Sequence, residues 1–194
     1  KMKDLKHLYE FEKLLQDANN DLVQKAKEEG GIALGYTCYH IPEVLLNCGN
    51  CFSVRLRAPR TGSMDIATYY MSNFLCGYSK AILERAIEGG YNFLNALLAS
   101  ETCSEMNRTA EHFELLKLVP EEKFFLTFLD MPFKIEEHTV KHYVKQTKVK
   151  ILDKLNEAYG VDVSDEALLK AVEEHNEVCR LMTEIGDYRK EENP

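Results

Sequence analysis

Two cysteines, Cys76 and Cys103, bracket the stretch CGYSKAILERAIEGGYNFLNALLASETC and stand 27 positions apart. That spacing is too wide for a zinc knuckle, and a helix-like run follows the first cysteine while a strand-like run precedes the second. Thiolates at loop or helix-terminal positions are the ligands of metal ions and iron–sulfur clusters, because backbone amides there can hydrogen-bond the sulfurs. Glycine beside Cys76 allows close approach of the backbone. Two ligands complete no usual site, so a third has to come from elsewhere.

Other residues carry weaker signals. Cys48 and Cys51 form a C-x-x-C at the end of a helical pattern, a donor pair that could join Cys38 or His40 around zinc; ordinary helix-terminal cysteines are the competing reading. His40 stands in a loop just before Pro42 and Glu43, a position open to general acid–base work. The segment Arg60-Thr61-Gly62-Ser63 places a cation and two hydroxyls ahead of an expected helix, a pattern that suits an anion without being a P-loop. His138 and His142 share a helical face, but the chain has no H-E-x-x-H. Cys179 reads as a small buried hydrophobe within the last helix.

Elements that position these residues follow from periodicity. Residues 1–30 form an N-terminal helical arm, with Leu5, Leu8, Phe11, Leu14 and Leu15 at helical spacing. GIALGYT (31–37), FSVRLRAP (52–59), FLNALLAS (93–100) and KFFLTFLDMP (123–132) read as strands, the last two so continuously apolar that both faces must be covered. Between them lie helices over PEVLLNCG, over 63–75 with Ser63 as cap, over GYSKAILERAIEGG, and over RTAEHFELLKLV after an ETCSEMN loop. From Glu136 the pattern is purely helical: one helix runs to Gly160, and a second begins at Ser164. Leu168, Ala171, Val172, His175, Val178, Met182 and Ile185 line one face of that last helix.

Strands alternating with helices specify an α/β fold, a parallel Rossmann-like sheet flanked by helices. The expected division is an arm (1–30), a Rossmann-like domain carrying the cysteines (31–135) and a second helical arm (136–194). Ligands of such sheets gather beyond the carboxyl ends of the strands. Cys38 and Cys103 each follow a strand, and Cys76, at a helix break, can reach the same edge.

Bulk properties exclude several classes. A net charge of −8 and a densest basic run of only three arginines (Val54–Arg60) argue against nucleic acid. No apolar run is long enough to cross a membrane, and the charged start KMKDLKHLYEFEKLL lacks a signal-peptide core, so the expected location is cytoplasmic. Six cysteines in such a chain point away from a disulfide framework.

GYTCYHIPEVLLNCGNCFSVRLRAPRTGS, then FLCGYSKAILERAIEGG, then the strand ending in SETC, resembles the 2-hydroxyacyl-CoA dehydratase and class I benzoyl-CoA reductase family. EEHNEVCRLMTEI also resembles that family's terminal helix, with Asn176 and Arg180 at matching positions. The resemblance runs from about Gly31 to Ile185 and implies a 4Fe–4S cluster between two Rossmann-like domains. Cys76 and Cys103 would be two of its cysteine ligands. It further implies an acyl-CoA thioester substrate converted through a ketyl radical, an ATP-dependent iron–sulfur activator, and a homologous second subunit. Tyr39 and His40 would lie beside the open iron position as catalytic residues, while Arg60, Thr61 and Ser63 are assigned here to CoA phosphates.

Family subunits are about twice this length, so the chain is expected to be an N-terminal part, the third cluster ligand coming from a second domain. The extra cysteines at 38, 48 and 51 keep a double-cubane reductase in view beside a benzoyl-CoA-reductase-like subunit. A non-catalytic electron-relay subunit and an α/β protein with structural zinc are the readings from other classes.

Overall fold

The computed structural model describes residues 5–59 and 61–191. Four strands, β1 (Ile32–Tyr36), β2 (Cys51–Arg55), β3 (Ala96–Ser100) and β4 (Phe125–Leu129), form one all-parallel sheet in the order β2-β1-β3-β4. β3 is buried along its whole length, as its unbroken apolar sequence requires. The fold is α/β and Rossmann-like.

Side chains alternate across the sheet. Ala33, Leu97 and Ala99 face one layer, where Ile82 and Ala86 of α4 (Gly77–Ile87) and Ala110 and Phe113 of α5 (Ser104–Leu115) complete a core. Leu34, Tyr36, Ala96 and Leu98 face the other, against Leu46, Ile151, Leu155 and Val161. The helices after β4 cover this face together with Ile41 and Leu46 from the segment between β1 and β2.

Those helices depart from the single one expected over 136–160. They comprise α6 (Glu137–Thr147), a π-helical segment (Lys148–Asp153) and α7 (Lys154–Tyr159). The buried residues Thr147, Ile151 and Leu155 recur every four positions. On an α-helix that spacing drifts about 40° per step; the wider π turn absorbs the drift and keeps all three on the sheet. Beyond it, α8 (Asp165–Asp187) is capped by Ser164, as expected, and of the residues lining its apolar face only Ala171 is buried. Val172, Val178, Met182 and Ile185 are exposed.

Three further expectations change. PEVLLNCG forms a 3-10 turn, Glu43–Asn47, instead of an α-helix. The 63–75 helix shrinks to α3 (Ala67–Tyr70), and Ser63 is not its cap. Glu84 supplies the acceptor instead, taking Ala67 N–H at 2.7 Å, while Ala67 and Met71 pack on Leu83. The ETCSEMN loop is short, because α5 starts directly after Cys103.

Ahead of the sheet lie α1 (Lys6–Leu15) and α2 (Asp21–Glu28). Arg57 fastens their junction by donating to Leu14 O at 2.8 Å, and Arg85 pairs with Asp17. Among the described residues no helix is long and apolar enough to cross a membrane.

Candidate functional site

In a sheet ordered β2-β1-β3-β4 the chain leaves β1 in one direction and β3 in the other, so the topological switch point lies between their carboxyl ends. A crevice forms at such a point because successive connections diverge to opposite sides. The β1 exit carries Thr37 to Ile41, and the β3 exit carries Glu101 to Cys103. Sequence reasoning placed Cys38 and Cys103 on this edge with Cys76 in reach of it, and the topology puts Cys38 and Cys103 at its switch point.

Tyr39 and His40 sit at the tip of a turn closed by Ile41 N–H donating to Cys38 O at 3.1 Å. Ile41 is buried and anchors the turn, which leaves both tip residues exposed. Tyr143 of α6 holds the tip from the far side, its hydroxyl donating to His40 O at 2.8 Å. Burial pushes the Tyr143 phenol upward, so it stays a donor through neutral pH. Arg55, the last residue of β2, donates to the Tyr39 hydroxyl at 2.5 Å and lies 4.1 Å above its ring. Thr37, directly before Cys38, is buried with a hydroxyl that has no hydrogen-bond partner among the described residues.

Each of the two bracketing cysteines begins a helix. Cys76 is the N-cap of α4 and Cys103 the N-cap of α5, and both are exposed. The two helix starts are joined, since Cys76 N–H donates to the Glu105 carboxylate in the first turn of α5 at 3.0 Å. Positive helix ends stabilise negative charge, which is what a ligand sulfur carries. Asn107 buttresses the second site; its amide nitrogen, turned inward, reaches Ser100 O at 2.9 Å and Cys103 O at 3.2 Å.

Tyr78, which sequence reasoning missed, joins the start of α4 to the residue after β2. Its hydroxyl donates to Leu56 O at 2.7 Å. Burial raises the phenol first, Arg55 opposes the rise, and the neighbouring Cys38 and Cys76 thiols add to it. A tyrosine two residues past a candidate ligand, in the first turn of a helix, was the available signal. Arg55 was visible only as part of a basic run.

The remaining sequence candidates fall elsewhere. Arg60 lies outside the described residues. Thr61 donates to Ala58 O at 3.0 Å, and Ser63 is exposed four residues before α3, so the helix-terminal anion geometry expected of that segment is not formed. His138 and His142 are surface residues facing Glu136 at 3.4 Å and Asp130 at 3.3 Å. Cys48 and Cys51 are buried: Cys48 donates to Asp162 O at 3.2 Å, and burial pushes the Cys51 thiol up to about 12. Burial of this kind holds the thiols in their protonated form. Among the described residues no three His, Cys, Asp or Glu side chains gather as a metal group, which removes the geometric basis for the zinc reading. Cys179 is exposed, not buried as expected.

Residues 38–194 match the family described as 2-hydroxyglutaryl-CoA dehydratase, D-component. The chain belongs to that family. Over 181 residues it is 22% identical to the (R)-phenyllactyl-CoA dehydratase beta subunit of Clostridium sporogenes, covering 93% of this chain and 47% of the relative. Over 185 residues it is 21% identical to (R)-2-hydroxyglutaryl-CoA dehydratase, subunit beta, of Acidaminococcus fermentans, covering 92% of this chain and 48% of the relative. The chain spans about half the length of these dehydratase subunits.

Proposed function

We propose that this chain is the cluster-presenting part of a 2-hydroxyacyl-CoA dehydratase subunit, with Cys76 and Cys103 as two ligands of a 4Fe–4S cluster. The observation that carries the reading is the pair of exposed N-cap cysteines whose helix starts are joined through Glu105. The donor set fits the group: two exposed thiols at positive helix ends. A third ligand comes from outside this segment. When bound, such a cluster would supply low-potential electron transfer to the substrate.

The chain's own residues act around that centre. His40, on a turn braced by Ile41 and Tyr143, exchanges a proton with the substrate. Tyr39, with its hydroxyl held by Arg55, presents a donor and a nearby positive charge to the thioester oxygen or the departing hydroxyl. A cavity of about 170 Å³ lined by Met131, Pro132, Ile135, Val140 and Tyr143 opens beside the His40 support and suits an apolar acyl side chain. Arg60, Thr61 and Ser63 are assigned to the CoA phosphates. A homologous second subunit and an ATP-dependent iron–sulfur activator complete the system, as the beta-subunit names of both relatives support for the first of these.

Burial of Cys48 and Cys51 disfavours the double-cubane alternative, which needs further available thiolates. The test is anaerobic purification of the full-length polypeptide with assay of iron, acid-labile sulfide and zinc. About four irons with equal sulfide per chain are expected. About eight would restore the double-cubane reading, and zinc without iron would remove the dehydratase chemistry.

A further inference from the structure

Away from the switch-point edge, three side chains from distant parts of the sequence line up as nucleophile, base and orienter. Cys179 Sγ lies 3.5 Å from His175 Nε2, and His175 Nδ1 lies 3.1 Å from a Glu43 carboxylate oxygen. The other Glu43 oxygen accepts from Ser53 Oγ at 2.6 Å and Asn47 Nδ2 at 2.7 Å. Asn47 in turn accepts from Ser53 N–H at 2.9 Å, so the carboxylate is fixed by both the 3-10 turn and β2.

His175 and Cys179 share a stripe of α8 because they are four residues apart. Glu43 comes from across the fold, and its presence settles the tautomer. A carboxylate facing Nδ1 places the ring proton there, which turns the Nε2 lone pair toward the thiol. Exposure falls along the relay: Cys179 is exposed, and the His175 and Glu43 side chains are 39% and 29% exposed. The base and its orienter are thus half-buried while the sulfur faces solvent. Arg180 offers no competing activation, since Glu177 and Glu184 already hold its guanidinium. Cys48 and Cys51, by contrast, are buried away from solvent.

We infer that Cys179 is an activated surface thiol, a modification site that accepts low-molecular-weight disulfides. The thiol proton passes to His175 Nε2 as Sγ attacks one sulfur of the disulfide. A bond forms between Sγ and that sulfur, the original S–S bond breaks, and the departing thiolate recovers the proton from His175 and leaves as a thiol. One disulfide is exchanged for another, with no outside oxidant. The inference rests on the relay alone and is independent of the dehydratase reading.

The experiment uses the full-length protein and oxidised glutathione, with acid quenching and peptide mass mapping of all six cysteines. In the native protein, Cys179 is expected to form the mixed disulfide roughly tenfold or more faster than the same cysteine in urea-unfolded chain. His175→Ala should bring the native rate down to the unfolded one, added imidazole should restore part of it, and Glu43→Gln should lower it less. Imidazole rescue reports the missing base and not a fold defect. A native rate no higher than the unfolded one, or a rate indifferent to His175→Ala, overturns the inference.

Discussion

At the scale of single residues, the cysteines separate by what their surroundings do to the sulfur. Exposed helix starts suit a thiolate, while the pocket around Cys51 suits only a thiol. Replacing Cys76 or Cys103 by serine in the full-length protein is expected to remove most of the iron, whereas Cys179→Ser should retain it. Equal iron in the Cys76→Ser protein would take that residue out of the ligand set. His40→Ala should leave iron content unchanged and lower kcat by about 10²–10⁴-fold, the usual contribution of a positioned acid or base. Steady-state kinetics beside an iron assay separates the two effects. Residue type and chain position made it legible that Cys76 and Cys103 stand at element boundaries and that His40 stands in the turn after β1. Tyr78 and Arg55 were not legible, because their parts depend on β2 ending where α4 begins. Cys179 was misread for a related reason: helical periodicity marks a face but does not say whether anything packs against it.

Among the elements, strands were the most legible, since an unbroken apolar run such as ALLAS has few alternatives to a covered strand. Short helices were the least. ATYY keeps one turn because Glu84, seventeen positions later, supplies its cap acceptor, and no local pattern reveals such a partner. The π segment was legible only in retrospect, in the four-residue recurrence of Thr147, Ile151 and Leu155. It yields a sharp expectation. Deleting the exposed Val149 changes the spacing to three and then four, the ordinary α-helical pattern, so urea unfolding should shift by less than about 1 kcal/mol. Ile151→Ala, which empties a fully buried position, should cost about 2–5 kcal/mol. A deletion as damaging as the cavity variant would show that the wide turn is required in itself. Gly49 is a second element-scale constraint: with φ +61° and a Cβ position 3.0 Å from Asp162 O, it seats the C-x-x-C turn against the start of α8. Gly49→Ala should therefore lower stability by about 1–3 kcal/mol, measured as a fall in the urea midpoint.

For the whole molecule, burial of acids that are neutral at pH 7 sets the alkaline limit. Burial pushes Cys51 from 9.0 up to about 12 and Tyr159 from 10.0 up to about 12, and raises Tyr91 further. A folded-state value above the unfolded one means the native state keeps protons that the unfolded chain has lost. The stabilisation is complete below about pH 9 and is lost as pH rises toward 12, at up to about 1.4 kcal/mol per pH unit for each group. Urea midpoints should fall steadily from pH 9 to 11, and Cys51→Ala should flatten that slope. A midpoint independent of pH across this range would contradict the burial assigned to these groups.

The strand order has a consequence in time. β1 pairs with β2 soon after both are made, but its other edge waits for β3, whose register sets Leu34 beside Ala96, 62 residues later. At ordinary rates of synthesis that interval lasts roughly 3–12 s. Throughout it the nascent chain offers an unpaired, apolar strand edge, which two copies growing side by side could satisfy with each other. Yield of the assembled protein should thus depend on how fast the stretch between Arg55 and Ala96 is translated, although that stretch adds no strand to the sheet.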